Sequence, residues 1–162
     1  MQQPIIFLDI DGVLNTDMMF TAHPSTLHPK LVKRLAHLIT STGACVVISS
    51  TWRRDESYME VLHDHFAKVG LERGSTIKGF TPVFSTLDNT RKCGESREAV
   101  RVREIASYLS ENPTEAPKVI LDDLNLKEIE EITDAKFIKC NPESGLSERD
   151  VDEALEHLRT GG

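Results

Sequence analysis

Three times this chain drives a wholly apolar run straight into acids or hydroxyls. The stretches are "IIFLDID" at residues 5–11, "CVVISS" at 45–50 and "VILDD" at 119–123. A run with no alternation has no polar face, so as a strand it must be covered on both sides. That is the signature of a parallel sheet between two layers of helices. The segments between the runs supply those layers. "HPKLVKRLAHLITSTG" sets Leu31, Leu35, Leu38 and Ile39 at helical spacing, with Gly43 as a stop. "DESYMEVLHDHFAKVG" predicts a helix opened by Asp55 and closed near Gly70, and "SREAVRVREIASYLSENP" a third, ended by Asn112 and Pro113. "AKFIKC" reads as a fourth strand, and "SERDVDEALEHL" as a final helix with a capping box from Ser147 to Asp150. Residues 71–95 show little periodicity and are expected to form a long irregular excursion. Strands alternating with helices predict an α/β fold. It is a three-layer, Rossmann-like parallel sheet with helices on both faces, a single domain over residues 1–162.

In such sheets ligands bind beyond the carboxyl ends of the strands. Three strand ends deliver Asp9 and Asp11, Ser49 and Ser50, then Asp122 and Asp123 to that one edge. Neighbouring carboxylates repel unless a cation, a proton or a developing positive centre compensates. Four carboxylates form a hard, oxygen-only donor set that suits Mg²⁺ and not zinc or copper. Mg²⁺ shares its shell with phosphate, and the Ser49 hydroxyl and the N–H groups after it are placed to hold phosphoryl oxygens. Gly12 lets the backbone bend sharply and bring amides toward the same anion. An EF-hand is excluded, because Val13 stands where that loop needs an oxygen ligand and a strand precedes it instead of a helix.

Composition narrows the partners. A net charge of −7 argues against gripping long nucleic acid over the whole surface, and no DNA-binding surface is evident. Hydrophobic content of 39% excludes wholesale disorder. Cys45, Cys93 and Cys140 contain no C-x-x-C, so neither a disulfide framework nor a zinc site is expected. The apolar run before Asp9 is too short for a signal peptide, and no stretch approaches the ~20 apolar residues of a membrane span. The expectation is a soluble, cytoplasmic protein.

With these residues in place, the chain resembles the haloacid dehalogenase (HAD) superfamily of aspartate-dependent phosphohydrolases. "FLDIDGVLN" is similar to that family's first motif, "CVVISS" to the second and "VILDD" to the fourth, in the family's order over residues 4–123. "DGVLN", "VISSTWR", R-x-x-E-I and "GLS" also resemble the small HAD domains of Swiss Army Knife RNA repair proteins. The resemblance implies a Mg²⁺-dependent phosphomonoester hydrolase with a HAD-like fold. Asp9 would be the nucleophile that forms an aspartyl-phosphate, and Asp11 the general acid and base. Ser49 would orient the phosphoryl group, with Ser50 either sharing it or capping the turn. Asp9, Asp122 and Asp123 would hold Mg²⁺ together with the Asp11 backbone carbonyl. Asp123 would be the direct ligand of the late pair and Asp122 a ligand through water. The family's third motif is a cation upstream of "KVILDD". Arg101 fits best, with Lys92, Arg97 and Arg103 as alternatives in a segment, residues 91–103, that carries five basic and two acidic residues. Trp52 and Arg53 are candidates for substrate contact, although a lone Trp more often packs in a core.

Other classes fare worse. A cysteine phosphatase needs C-x₅-R, but Thr51, Ala99 and Leu146 stand where the arginine should be. A receiver domain carries its acceptor aspartate on a middle strand, where this chain has serines. A phospho-ligand or protein binding module and a phosphotransferase both remain compatible with the residues. The interval 13–29 is too short for an inserted cap domain, and 51–97 is read as one helix and a loop, again no full cap. An uncapped site suits a large substrate or a lid borrowed from a partner. A phosphorylated metabolite or nucleotide ranks level with a polynucleotide terminal phosphate.

Overall fold

A computed structural model gives the fold and describes residues 2–23, 25–84 and 94–160. The elements in order are β1 (Ile5–Leu8), α1 (Asp17–Ala22), α2 (Pro29–Thr42) and β2 (Cys45–Ile48). A 3-10 turn (Thr51–Arg54), α3 (Glu56–Lys68) and β3 (Ile77–Phe80) follow. The chain then runs through α4 (Arg97–Glu111), β4 (Lys118–Asp122), α5 (Ile129–Ile132), β5 (Lys136–Lys139) and α6 (Glu148–Thr160). All strand pairs are parallel, in the order β3-β2-β1-β4-β5. The apolar runs of β1, β2 and β4 occupy the three central places, where neither face meets water.

Alternation along the central strands divides the core in two. Ile6, Leu8, Val46, Ile48, Val119 and Leu121 pack under α2, α3 and α6. Phe7, Val47 and Ile120 pack on the other face against Val102 and Ile105 of α4 and Ile129 of α5. Local signals set the helix ends as read from the sequence. The Asp55 side chain accepts from the amides of Ser57 and Tyr58, and Gly43 closes α2 in the left-handed region. Ser147 and Asp150 exchange side-chain-to-amide bonds of 3.0 Å, the reciprocal capping box.

The excursion expected over residues 71–95 holds a fifth strand, β3. Its sequence IKGF carries Lys78 and Gly79 and alternates half-buried with exposed positions. An edge strand pairs on one side only and keeps a wet face, so it lacks the apolar run that marks the central strands. Residues 85–93, with Lys92 and Cys93, lie outside the described residues. Cys45 and Cys140 are buried free thiols. Among the described residues, no helix is long and apolar enough to cross a membrane, and no cap domain interrupts the sheet.

One turn holds the exit of β1 in place. Leu146 N–H donates to the Val13 carbonyl at 2.8 Å, which brings the turn after β5 down on the loop after β1. The approach requires Gly145: its φ is +73°, and a Cβ there would fall 2.4 Å from Leu31 Cδ1 and 2.9 Å from Val13 O. Gly145→Ala therefore combines a left-handed alanine with a backbone clash. Urea denaturation should show a loss of about 2–4 kcal/mol.

Candidate active site

Sheet register alone assembles the centre. Leu8 of β1 lies level with Ile48 of β2 and with Leu121 of β4. One residue further along each strand stand Asp9, Ser49 and Asp122, abreast on three adjacent strands. Leu8, Ile48 and Leu121 face the α2–α3–α6 layer, so the next residues turn toward α4. The line crosses the gap between β1 and β4, where the strand order reverses and an open α/β sheet has its crevice.

Across that crevice α4 presents Arg101. Its Nη1 donates to Asp122 Oδ2 at 2.6 Å and lies 3.5 Å from Asp9 Oδ1. Asp9, Asp122 and Asp123 each offer a carboxylate oxygen, all within 4.8 Å of one another. Three acids thus face one guanidinium in a nearly dry place. Burial, then the charge of Asp122, raises the Asp9 pKa well above the usual carboxylate range, against the pull of Arg101. Burial likewise pushes Asp122 up to about 6, although Arg101 and the Leu124 amide both favour its charged form. Burial works against the charge of Arg101, but Asp122 and Asp9 outweigh it and raise its pKa. Asp122 is fully buried with both oxygens engaged, by Arg101 and by Leu124 N–H at 3.0 Å, whereas Asp123 is partly open.

The residues fit a divalent cation and a phosphate. The donors are all carboxylate oxygens and leave a surplus of negative charge. Gly12, at φ +82°, lets the β1 loop close on Asp123, since a Cβ there would sit 2.5 Å from Asp123 Oδ2. Ser49 Oγ is buried and has no partner among the described residues. An unmet buried hydroxyl costs about 1–3 kcal/mol, a cost that a phosphoryl oxygen at that spot would remove. The Gly12 amide, by contrast, already donates to Asn15 Oδ1 at 2.9 Å, and that of Val13 to the Ile10 carbonyl. The glycine therefore supplies clearance and not its own N–H.

Asp11 stands apart from the three clustered carboxylates. Its Oδ1 accepts from Asn15 Nδ2 at 2.9 Å and from Trp52 Nε1 at 3.0 Å. Half-burial raises its pKa, held back by those two donors. Trp52 is 1% exposed, so it is a core residue that also aims Asp11. Asn15 is wholly buried, ties Asp11 to Gly12 and donates to the Thr26 carbonyl. The sequence reading passed over Asn15 as a functional residue. Its signal was a buried-type position four residues after Asp11 filled by an amide that must satisfy both its ends.

Ser50 caps the 3-10 turn, its Oγ accepting from Trp52 N–H at 3.2 Å. Arg103 pairs with Glu95 and lies over the Phe84 ring, and Arg97 is exposed at the start of α4. Arg53 is a buried knot. It donates to the carbonyls of Ser50, Thr81 and Pro82 and pairs with Glu104 at 2.9 Å. Glu104 also receives the Phe84 amide and lies 3.8 Å from Arg101 Nε. One turn of α4 therefore fixes both the cation of the site and the loop behind Ser49.

The family model described as "HAD domain in Swiss Army Knife RNA repair proteins" matches residues 5–151. No curated protein and no solved structure matches the chain significantly.

The raised Asp9 pKa carries a stability consequence. Between the unfolded pKa near 3.8 and its higher folded value, the native state binds the extra proton, so stability falls as pH rises through that window. Asp9→Asn should then raise the Tm of the metal-free protein at pH 7.5, as read by thermal denaturation. The gain should vanish as the pH approaches 4. A lower Tm for the variant at pH 7.5 would mean that the pocket favours the charge.

Proposed function

The chain belongs to the family of HAD domains found in Swiss Army Knife RNA repair proteins, and from that premise we propose that it is a Mg²⁺-dependent phosphomonoester hydrolase acting through an aspartyl-phosphate on Asp9. The observation that carries the reading is the setting of Asp9. It lies beside Arg101, clustered with two further carboxylates, and level with a serine hydroxyl that lacks a partner among the described residues.

Asp9 and Asp123 would hold the metal directly, with the Asp11 backbone carbonyl, and Asp122 through water. Mg²⁺ when bound would neutralise charge around the phosphoryl group and orient it. The remaining work falls to side chains. An Asp9 oxygen attacks phosphorus in line, and the bond from phosphorus to the leaving oxygen breaks. Asp11, protonated, gives its proton to that oxygen. A water then attacks the phosphorus of the aspartyl-phosphate and gives a proton to the Asp11 carboxylate. The bond from phosphorus to Asp9 breaks, inorganic phosphate leaves and both aspartates are restored. Ser49 Oγ donates to a phosphoryl oxygen, and Arg101 balances the charge that gathers beside Asp9. A pKa raised by half-burial suits Asp11 to both halves of the cycle, while Asn15 and Trp52 keep it aimed.

The substrate class follows from what surrounds the site. With no cap domain among the described residues, the site suits a phosphate carried on a large molecule. The matched family's description favours a terminal phosphate on nucleic acid. A phosphorylated nucleotide or metabolite is the alternative within the same chemistry.

Purified protein with Mg²⁺ should release phosphate from at least one member of a panel of phosphorylated oligonucleotides, nucleotides, sugar phosphates and phosphopeptides. Asp9→Asn should abolish the activity, and Asp11→Asn should lower kcat about 10²–10⁴-fold. No release from any ester would leave a binding module, and transfer to an added alcohol acceptor would indicate a phosphotransferase.

The pH profile tests Asp11 separately. The general acid must be protonated, so kcat/KM should fall above its raised pKa. Trp52→Phe removes a donor that favours the ionised form, so the alkaline limb should move to higher pH. A limb that stays or moves down would remove Asp11 from the role.

A further inference from the structure

Beyond the phosphate centre, at the β2–β3 side of the same sheet edge, lies a cavity of about 620 Å³. It is formed by the 3-10 turn, the first half of α3, Arg73 and the end of β3. That volume is in the range of small-molecule sites. Phe80 lines it at the last position of β3 and is 49% exposed. The other large exposed apolar residues, Met18, Phe20 and Ile132, do not line it. Arg54 also lines it, exposed and without an ion-pair partner among the described residues. Arg73 lines it too, in an exposed bidentate pair with Glu60, and Glu56 is a further acid of the lining.

The cavity is joined to the phosphate centre by one rigid side chain. Arg53 lines it while donating to the carbonyl of Ser50, the residue after Ser49. Phe80 is level with Ile48 in the sheet, two strands away from β1. At a strand spacing of about 4.8 Å its lateral offset from Asp9 is about 10 Å. Phe80 shares Ile48's α3 side of the sheet, whereas Asp9 and Ser49 turn toward α4, so a nucleic-acid strand held by its phosphate at Asp9 would reach the ring by crossing the sheet edge at the 3-10 turn.

A half-exposed aromatic ring that shares a cavity with an arginine lacking an ion pair among the described residues is the combination that single-stranded nucleic acid uses, a stacking platform with a backbone cation. We propose that this cavity is a subsite for the nucleotide adjacent to the terminal phosphate, with Phe80 stacking its base and Arg54 holding its phosphodiester. Arg73 lends the second cation when Glu60 is displaced from it. The assignment rests on the phosphohydrolase reading and makes the substrate a single-stranded oligonucleotide end. It also accommodates the acidic net charge, because it asks for a local platform and not a basic surface.

The test compares kcat/KM for single-stranded hexaribonucleotides carrying a 3′- or 5′-phosphate with kcat/KM for the matching mononucleotide and for p-nitrophenyl phosphate. The full chain is used with Mg²⁺. One of the hexamers should exceed the mononucleotide at least tenfold. The ratio of hexamer to p-nitrophenyl phosphate should fall about tenfold in Phe80→Ala and in Arg54→Ala. Being a ratio, it does not depend on how much of a variant is folded. Binding of the labelled hexamer to Asp9→Asn protein, read by anisotropy, should weaken in parallel. The slope of log affinity against log salt should shrink by about 0.7 when Arg54 is removed. Hydrolysis with no hexamer preference, a phosphopeptide preferred over both hexamers, or a ratio unmoved by Phe80→Ala would overturn the subsite and leave the phosphatase standing. Hexamer binding that depends on Phe80, with no ester hydrolysed at all, would overturn the phosphatase and leave the subsite.

Discussion

Arg101 placed against Asp9 and Asp122 is the interaction on which the site depends. At about 4 Å, in a medium of effective dielectric near 20, one opposite charge is worth about 4 kcal/mol of attraction and one like charge as much repulsion. A single guanidinium therefore holds two buried acids in place but cannot also absorb the third. Burial first, and then the neighbouring acids, raise the pKa of Asp9 and Asp122 against the pull of Arg101. A site left short of positive charge in this way is prepared for a cation and for the chemistry a cation supports.

The imbalance is tolerable because its parts sit on rigid elements. Asp9, Ser49 and Asp122 extend paired strands, so register fixes their relative places. Arg101 comes from a helix whose Val102 and Ile105 pack under the same strands. Behind it Glu104 and Arg53 bind the loops that leave β2 and β3, tying helix, turn and sheet edge into one piece. Asp11, on the loop after β1, gets its orientation from Asn15 and Trp52 instead. The proposed nucleophile is thus held by the sheet, and the proposed acid by the loop.

Much of this was legible because it follows from pattern. Buried strands have no polar face, so their apolar runs and the polar residues ending them stand out. That gave β1, β2 and β4 with the acids or hydroxyls that end them, and the short apolar pair inside "AKFIKC" gave β5. Arg101 was legible only as the best of four cations, because helix phase does not tell which one reaches a particular acid. β3 escaped because an edge strand needs no apolar run, and Lys78 with Gly79 conceals it. Arg53, Glu104, Asn15 and the anchoring bond from Trp52 are long-range or loop contacts. No local period encodes them. They appear only when residue 53 meets residue 104, and 52 meets 11. Ser50 shows the same limit, since its hydroxyl suited either a phosphate or the turn, and the structure has it capping the turn.

The most direct measurement is chemical. Asp11→Asn protein, slowed in its second half-reaction, is mixed with a hydrolysable phosphate ester and Mg²⁺, quenched in acid within the first turnover, digested and sequenced by mass spectrometry. A phosphoryl group on Asp9, lost on treatment with hydroxylamine and absent when Asp9 is asparagine, is the predicted result. Turnover of the ester with an unmodified Asp9, or a phosphoryl group on any other residue, would contradict the account.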